Sequence, residues 1–134
     1  MLEAKYQDFY DQIIHKIPKE KIFTDKLHTL AYGTDASFYR LIPKIVIKTD
    51  NAKEVQDIIE LSNSMNLSIT FRAGGTSLSG QAISDSILII TSRNFSNFKI
   101  ASDVSYISLE PALTGAQVNG LLARYSKKIG PDPA

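Results

Sequence analysis

Two strand-like runs separated by a helical pattern constrain this chain more than any other feature. Pro43-Lys44-Ile45-Val46-Ile47-Lys48 is short, β-branched and bounded by turn formers, and it reads as a strand. Asn51-Ala52-Lys53-Glu54 then opens a helix, with Asn51 placed to cap the free amides and Glu54 to reach back in a capping box. Val55, Ile58, Ile59 and Met65 follow at helical spacing, and Asn66 suits a left-handed helix end. Leu67, Ile69 and Phe71 alternate with Ser68 and Thr70 in a second strand. Strand, helix and strand in that order predict a right-handed βαβ unit with parallel strands.

The run Phe71-Arg72-Ala73-Gly74-Gly75-Thr76-Ser77-Leu78-Ser79-Gly80-Gln81-Ala82 leaves the second strand at its carboxyl end, where ligands of α/β sheets bind. Glycines remove the β-carbons that keep a ligand from the backbone, and successive amides in a tight turn form a concave anion nest. Thr76, Ser77 and Ser79 add hydroxyl donors, so a phosphate can be held without a lysine. Gly75 and Gly80 have the spacing of a P-loop, but Gln81-Ala82 stands where that loop needs Lys and then Ser or Thr, which argues against an ATP or GTP hydrolase. Counted from Gly74, the dinucleotide fingerprint fails at Thr76 and Ser79. A flexible surface loop is the plain alternative.

Elsewhere, Leu2, Tyr6, Phe9, Tyr10, Ile13, Ile14 and Ile17 recur at helical spacing before Pro18 and predict an amphipathic opening helix. Lys19 to Ser37 has weaker periodicity and reads as an ordered excursion, with a turn at Tyr32-Gly33-Thr34-Asp35-Ala36-Ser37 in which Gly33 permits the bend. Ile87-Leu88-Ile89-Ile90 reads as a strand buried on both faces. Phe98–Ile100 and Tyr106–Glu110 suggest a hairpin-like pair around Ala101-Ser102-Asp103. Thr114 with Gln117 forms a second capping box, ahead of a helix striped by Val118, Leu121, Leu122 and Tyr125 with Lys127 and Lys128 in its last turn.

Composition sets the surroundings of these elements. The 134 residues suit one small domain and are few for a complete cofactor enzyme. With 43% hydrophobic and 22% charged residues the chain has a globular make-up, and a net charge of +1 offers no general attraction to nucleic acid or anionic lipid. The absence of Cys excludes disulfides and thiolate metal sites within these residues and agrees with a reducing cytoplasmic setting. No apolar stretch approaches the ~20 residues a spanning helix needs.

Gly130-Pro131-Asp132-Pro133-Ala134 is rigid and turn-forming, and its abrupt end reads as that of a fragment. Together with Tyr32–Ser37, Pro43–Ile47 and the loop Arg72–Gln81, it completes four motifs in the order seen in flavin-linked oxidases of the vanillyl-alcohol oxidase type. Within that family the chain most resembles the branch of D-lactate dehydrogenases and flavin-bearing glycolate oxidases, including long members with a carboxyl-terminal iron–sulfur region. The resemblance runs from Tyr32 onward and takes in the leading helix. Ala112 departs from it, since relatives commonly carry Gly after the Glu-Pro pair, and its methyl is expected to crowd a turn.

The resemblance implies an α+β fold: a first FAD-binding subdomain with a βαβ parallel core flanked by helices, and the start of a mixed or antiparallel second subdomain. Residues 1–42 would be a helical lead-in and turn, and 43–134 the core, loop, strands and helix. It implies FAD as cofactor, wrapped at its pyrophosphate by Ala73, Gly74, Gly75, Thr76 and Ser77, chiefly through backbone amides, with Ser79, Gly80 and Gln81 nearby. Pro131, Asp132 and Pro133 would lie near the flavin. The implied chemistry is oxidation of a D-2-hydroxy acid such as D-lactate or glycolate by hydride transfer to flavin, with the electron acceptor left open. Base and substrate site would lie beyond Ala134, as would any iron–sulfur clusters. No catalytic residue is therefore assigned here, and the piece alone is expected to be inactive. The implied location is cytoplasmic, with peripheral attachment to the inner membrane left open for the whole protein.

Plainer readings stand beside these. Arg72 is expected as a structural or surface ion-pair residue before a phosphate ligand. Asp35 is expected to cap its own turn, with orientation of an amide or a ligand as the alternative. His15 and His28 lack clustered partners at metal-ligand spacing, and Tyr6, Phe9 and Tyr10 suit a core or docking face. Two other functions remain: a non-catalytic phosphate- or nucleotide-binding module, and an FAD reductase using NAD(P)H. A partial domain is also expected to expose apolar surface.

Overall fold

Ile87-Leu88-Ile89 has no exposed side chain because its strand lies between two parallel neighbours and under helices. The computed structural model describes residues 2–130, which divide into two compact units between Ser92 and Arg93.

In the first unit the elements are α1 (Ala4–Ile13), β1 (Ile22–Phe23), α2 (Lys26–Ala31), β2 (Ile45–Thr49), α3 (Ala52–Ser64), β3 (Ile69–Arg72) and β4 (Ile87–Thr91). The sheet order is β1-β2-β4-β3. β4 runs parallel to β2 in the register Ile45↔Ile87 to Thr49↔Thr91, and parallel to β3 in the register Ile69↔Ile87 to Arg72↔Ile90. The expected strand–helix–strand unit is present with parallel strands. β4 separates them because its two apolar faces belong at the centre of a sheet. Tyr6, Phe9 and Ile13 of α1 and Ile58 of α3 pack with Ile45, Ile47, Ile87 and Ile89 on one face. Each such aliphatic side chain contributes about 1.5–3 kcal/mol on burial. Val46, Leu88 and Ile90 form a smaller cluster with Phe23 and Tyr32.

Several local expectations are refined. Within Lys19–Ser37, β1 pairs antiparallel with β2, and Asp25 caps α2 by accepting from the Leu27 and His28 amides at 3.1 Å. Asn51 caps α3 as expected, accepting from Glu54 N at 3.0 Å. Glu54, however, accepts from Asp50 N at 2.8 Å and from Lys21 Nζ at 2.7 Å, so its return contact falls one residue earlier than in a capping box. Asn66 ends the helix with φ +52. Gly33 serves close approach: a β-carbon there would sit 2.6 Å from Ile42 Cδ1.

In the second unit β5 (Phe98–Ile100) and β6 (Ile107–Leu109) form an antiparallel pair, and α4 (Gly115–Leu122) follows. Thr114 and Gln117 make the full capping box. α4 ends at Leu122 in a 3₁₀ turn closed by left-handed Ser126, φ +53. Lys127 and Lys128 therefore lie beyond the helix, contrary to the expected place in its last turn. Ala112 also departs from expectation: it has no positive φ, and its amide donates to Phe95 O at 3.0 Å, so the methyl is accommodated. Among the described residues no helix is long and apolar enough to cross a membrane.

Candidate anion-binding site

The loop of residues 73–82 follows β3 without regular secondary structure, at the carboxyl end of the parallel strands. Gly75 and Gly80 adopt φ of +69 and +75, a region that side chains other than glycine enter at a cost. A β-carbon on Gly74 would meet only Thr76 Cγ2, at 3.6 Å, so the surface there is open to a ligand.

Internal hydrogen bonds organise the far half of the loop. Ser77 Oγ accepts from the amides of Ser79 at 3.3 Å and Gln81 at 3.1 Å. The Ala82 amide donates to Asp35 Oδ2 at 3.3 Å. The amides of Gly74, Gly75 and Ser77 have no acceptor among the described residues. Unpaired amides beside the left-handed glycines at 75 and 80, with open space at Gly74, are the features of an anion nest. The donor set therefore fits the diphosphate of a dinucleotide such as FAD.

The turn at residues 32–39 is folded against this loop. Ala36 N donates to Gly75 O at 3.1 Å, and Asp35 Oδ1 accepts from Ser37 N at 2.9 Å while its second oxygen takes Ala82. Asp35 thus caps its own turn, as expected, and also accepts from the Ala82 amide. These bonds to Ser37 and Ala82 hold its carboxyl below the usual carboxylate range, the Ser37 hydroxyl contributing most. Tyr39 lies against Gly80, where a β-carbon would be 3.0 Å from Cδ2.

Arg72 faces carbonyls. Its Nη1 donates to Thr34 O at 2.6 Å and to Ala82 O at 3.4 Å, and its guanidinium stacks 5.6 Å from the Tyr32 ring centroid. It has no carboxylate partner among the described residues. Arg72 is structural as expected, yet it braces carbonyls and makes no ion pair. Lys48 brings a second cation to this side of the sheet, 5.0 Å from the Phe23 ring and 6.0 Å from that of Tyr32.

The other candidates lie elsewhere or outside the described residues. Pro131, Asp132 and Pro133 lie outside the described residues. His28 is satisfied by Asp25 at 2.8 Å and stacks on Phe23. Tyr6 and Phe9 are core residues, and Tyr10 packs against them. Cavities of about 410 and 480 Å³ are lined by residues of α1 and of the segments leading into α2 and the strands, with no residue of the loop. The candidate site is the set of amides at Gly74, Gly75 and Ser77. Thr34, Ala36 and Tyr39 were given no role at the loop from the sequence, because their contacts with Arg72, Gly75 and Gly80 span some forty positions.

The profile of the FAD binding domain family matches residues 43–134. An FAD-linked oxidoreductase of Penicillium crustosum is 26% identical over 88 residues, 66% of this chain and 20% of that protein. D-2-hydroxyglutarate dehydrogenase of Pseudomonas putida is 23% identical over 133 residues, 96% of this chain and 13% of that protein. An alkyldihydroxyacetonephosphate synthase superposes with a TM-score of 0.79 at 16% identity, over 98% of this chain and 27% of that one. The 4-ethylphenol oxidase from Gulosibacter chungangensis does so at 0.74 and 16%, over 99% and 27%. These likenesses to solved structures show a shared α+β fold. The chain spans a fifth or less of the length of these curated relatives.

Proposed function

The chain belongs to the FAD-binding domain family, and on that premise we propose that residues 1–134 are the amino-terminal, phosphate-holding part of an FAD-dependent oxidoreductase acting on a D-2-hydroxy acid such as D-lactate or glycolate. The observation that carries this reading is the set of unpaired amides at Gly74, Gly75 and Ser77 beside two left-handed glycines. Ala73, Gly74, Gly75, Thr76 and Ser77 hold the pyrophosphate through their backbone, with Ser79, Gly80 and Gln81 shaping the far side.

Bound there, FAD supplies hydride acceptance, which no side chain offers. The chain's own work is binding and orientation. Amide dipoles that are already aimed neutralise the phosphate charge with little reorganisation. Ser77 Oγ keeps the Ser79 and Gln81 amides turned inward, and Arg72 keeps the loop against Thr34. Relatives named D-2-hydroxyglutarate dehydrogenase support the hydroxy-acid class. The base and the substrate pocket belong to the remainder of the protein in this reading.

The test is an anaerobic visible spectrum of the protein from the complete reading frame, before and after adding D-lactate, glycolate or D-2-hydroxyglutarate. Flavin bands that bleach with one of them are the expected result. Bands that persist with all three overturn the substrate class. A colourless protein that cannot be loaded with FAD overturns the flavoenzyme and favours a phosphate-binding module.

A further inference from the structure

The loop of residues 73–82 is fastened at two points, and both fasteners come from one dipeptide. Ala36 N holds Gly75 O at 3.1 Å, and Asp35 Oδ2 holds Ala82 N at 3.3 Å. The six residues between these points form a closed excursion whose ends cannot move independently. Asp35 is itself anchored, since its other oxygen accepts from Ser37 N at 2.9 Å and from Ser37 Oγ. The Ser37 hydroxyl in turn accepts from Tyr39 N at 3.1 Å, and the Tyr39 ring lies on Gly80. The turn therefore touches the loop at Gly75, Gly80 and Ala82.

We propose that Asp35 is a positioning residue for the cofactor: it touches no ligand, but sets the span of the glycine loop so that its free amides converge before FAD arrives. This rests on the FAD reading above. A free loop would have to lose its backbone entropy on binding. A loop already pinned at both ends avoids much of that loss, which is how preorganisation raises affinity without a new contact.

Asp35→Asn separates the two roles of the carboxylate. One amide oxygen can serve Ser37 or Ala82, and asparagine is itself a good turn residue, so the turn persists while Ala82 faces an NH₂ group. Ser37→Ala is the converse variant, weakening the turn and sparing the bond to Ala82.

Both variants are made in the protein from the complete reading frame and read by FAD titration, by amide hydrogen exchange over residues 73–82 without FAD, and by turnover at saturating FAD. Asp35→Asn is expected to raise the FAD dissociation constant about tenfold and to speed exchange in the loop, leaving kcat at saturating FAD unchanged. Ser37→Ala is expected to change FAD affinity less than threefold. FAD affinity within twofold of wild type in Asp35→Asn overturns the proposal, as does a Ser37→Ala effect of equal size, which assigns the role to turn stability alone. If the wild type fails to bind FAD, the cofactor reading fails by itself. Loop exchange then still tests the two-point fastening, and unchanged exchange in Asp35→Asn refutes it.

Discussion

The guanidinium of Arg72 occupies the space that a β-carbon on Gly75 would need, with Cζ 2.5 Å and Nε 2.8 Å from that position. Gly75 also carries φ +69, so two independent constraints admit only glycine there. Gly75→Ala combines a left-handed conformation costing roughly 1–2 kcal/mol with displacement of Arg72. FAD affinity is expected to fall at least tenfold, while the melting temperature drops by a few degrees. Titration with FAD beside a thermal melt checks this, and unchanged affinity would remove the loop from the site.

Arg72→Lys keeps the charge but loses the planar fork that reaches Thr34 O and Ala82 O and stacks on Tyr32. A modest loss of about 1 kcal/mol in FAD affinity is expected, with little dependence on salt, because in the proposed site amides and not cations hold the phosphates. A hundredfold loss with a steep salt dependence would instead make Arg72 a phosphate ligand.

Local signals were enough to read much of this fold. The β-branched run of β2, the Asn51 cap, left-handed Asn66 and the Thr114–Gln117 capping box each depend on a few neighbouring residues. Three features were hidden for physical reasons. β1 has two residues, too few to show a period, and its place is set by pairing with β2. The end of α4 depends on a left-handed serine at 126, which no propensity announces. Within the site, the glycine loop announced itself by composition. Its clamp did not, because Arg72, Asp35 and Ala36 act through backbone atoms of residues remote in sequence.

Acid sensitivity should centre partly on Asp57, which accepts from Lys53 at 3.0 Å and Lys16 at 3.1 Å. Lys53 and then Lys16 lower its pKa in the folded state. A lowered carboxylate pKa adds stability that is complete above the unfolded value of about 3.9 and is lost as pH falls through the lower folded value. Asp57→Asn should flatten the fall in melting temperature below about pH 4 and leave a smaller residual slope from Asp25, Asp35 and Glu3, whose values are also lowered. A slope identical to wild type would show that the Lys16–Asp57–Lys53 cluster is not formed in solution.

Ile89 is fully buried at the centre of β4. Ile89→Ala should destabilise the fold by about 2–5 kcal/mol. The folded fraction should bind FAD normally, since the loop is fastened from the turn at 32–39. Chemical denaturation and FAD titration separate the two effects, and a selective loss of FAD binding at unchanged stability would contradict the division between core and site.

Amide hydrogen exchange across residues 73–82, measured on the protein from the complete reading frame with FAD, ADP or riboflavin, asks whether open amides hold the diphosphate. The expected result is protection by FAD at Gly74, Gly75 and Ser77, reproduced by the diphosphate of ADP and absent with riboflavin. Protection elsewhere with the loop unchanged, or equal protection by riboflavin, would contradict the assignment of the loop as the phosphate site.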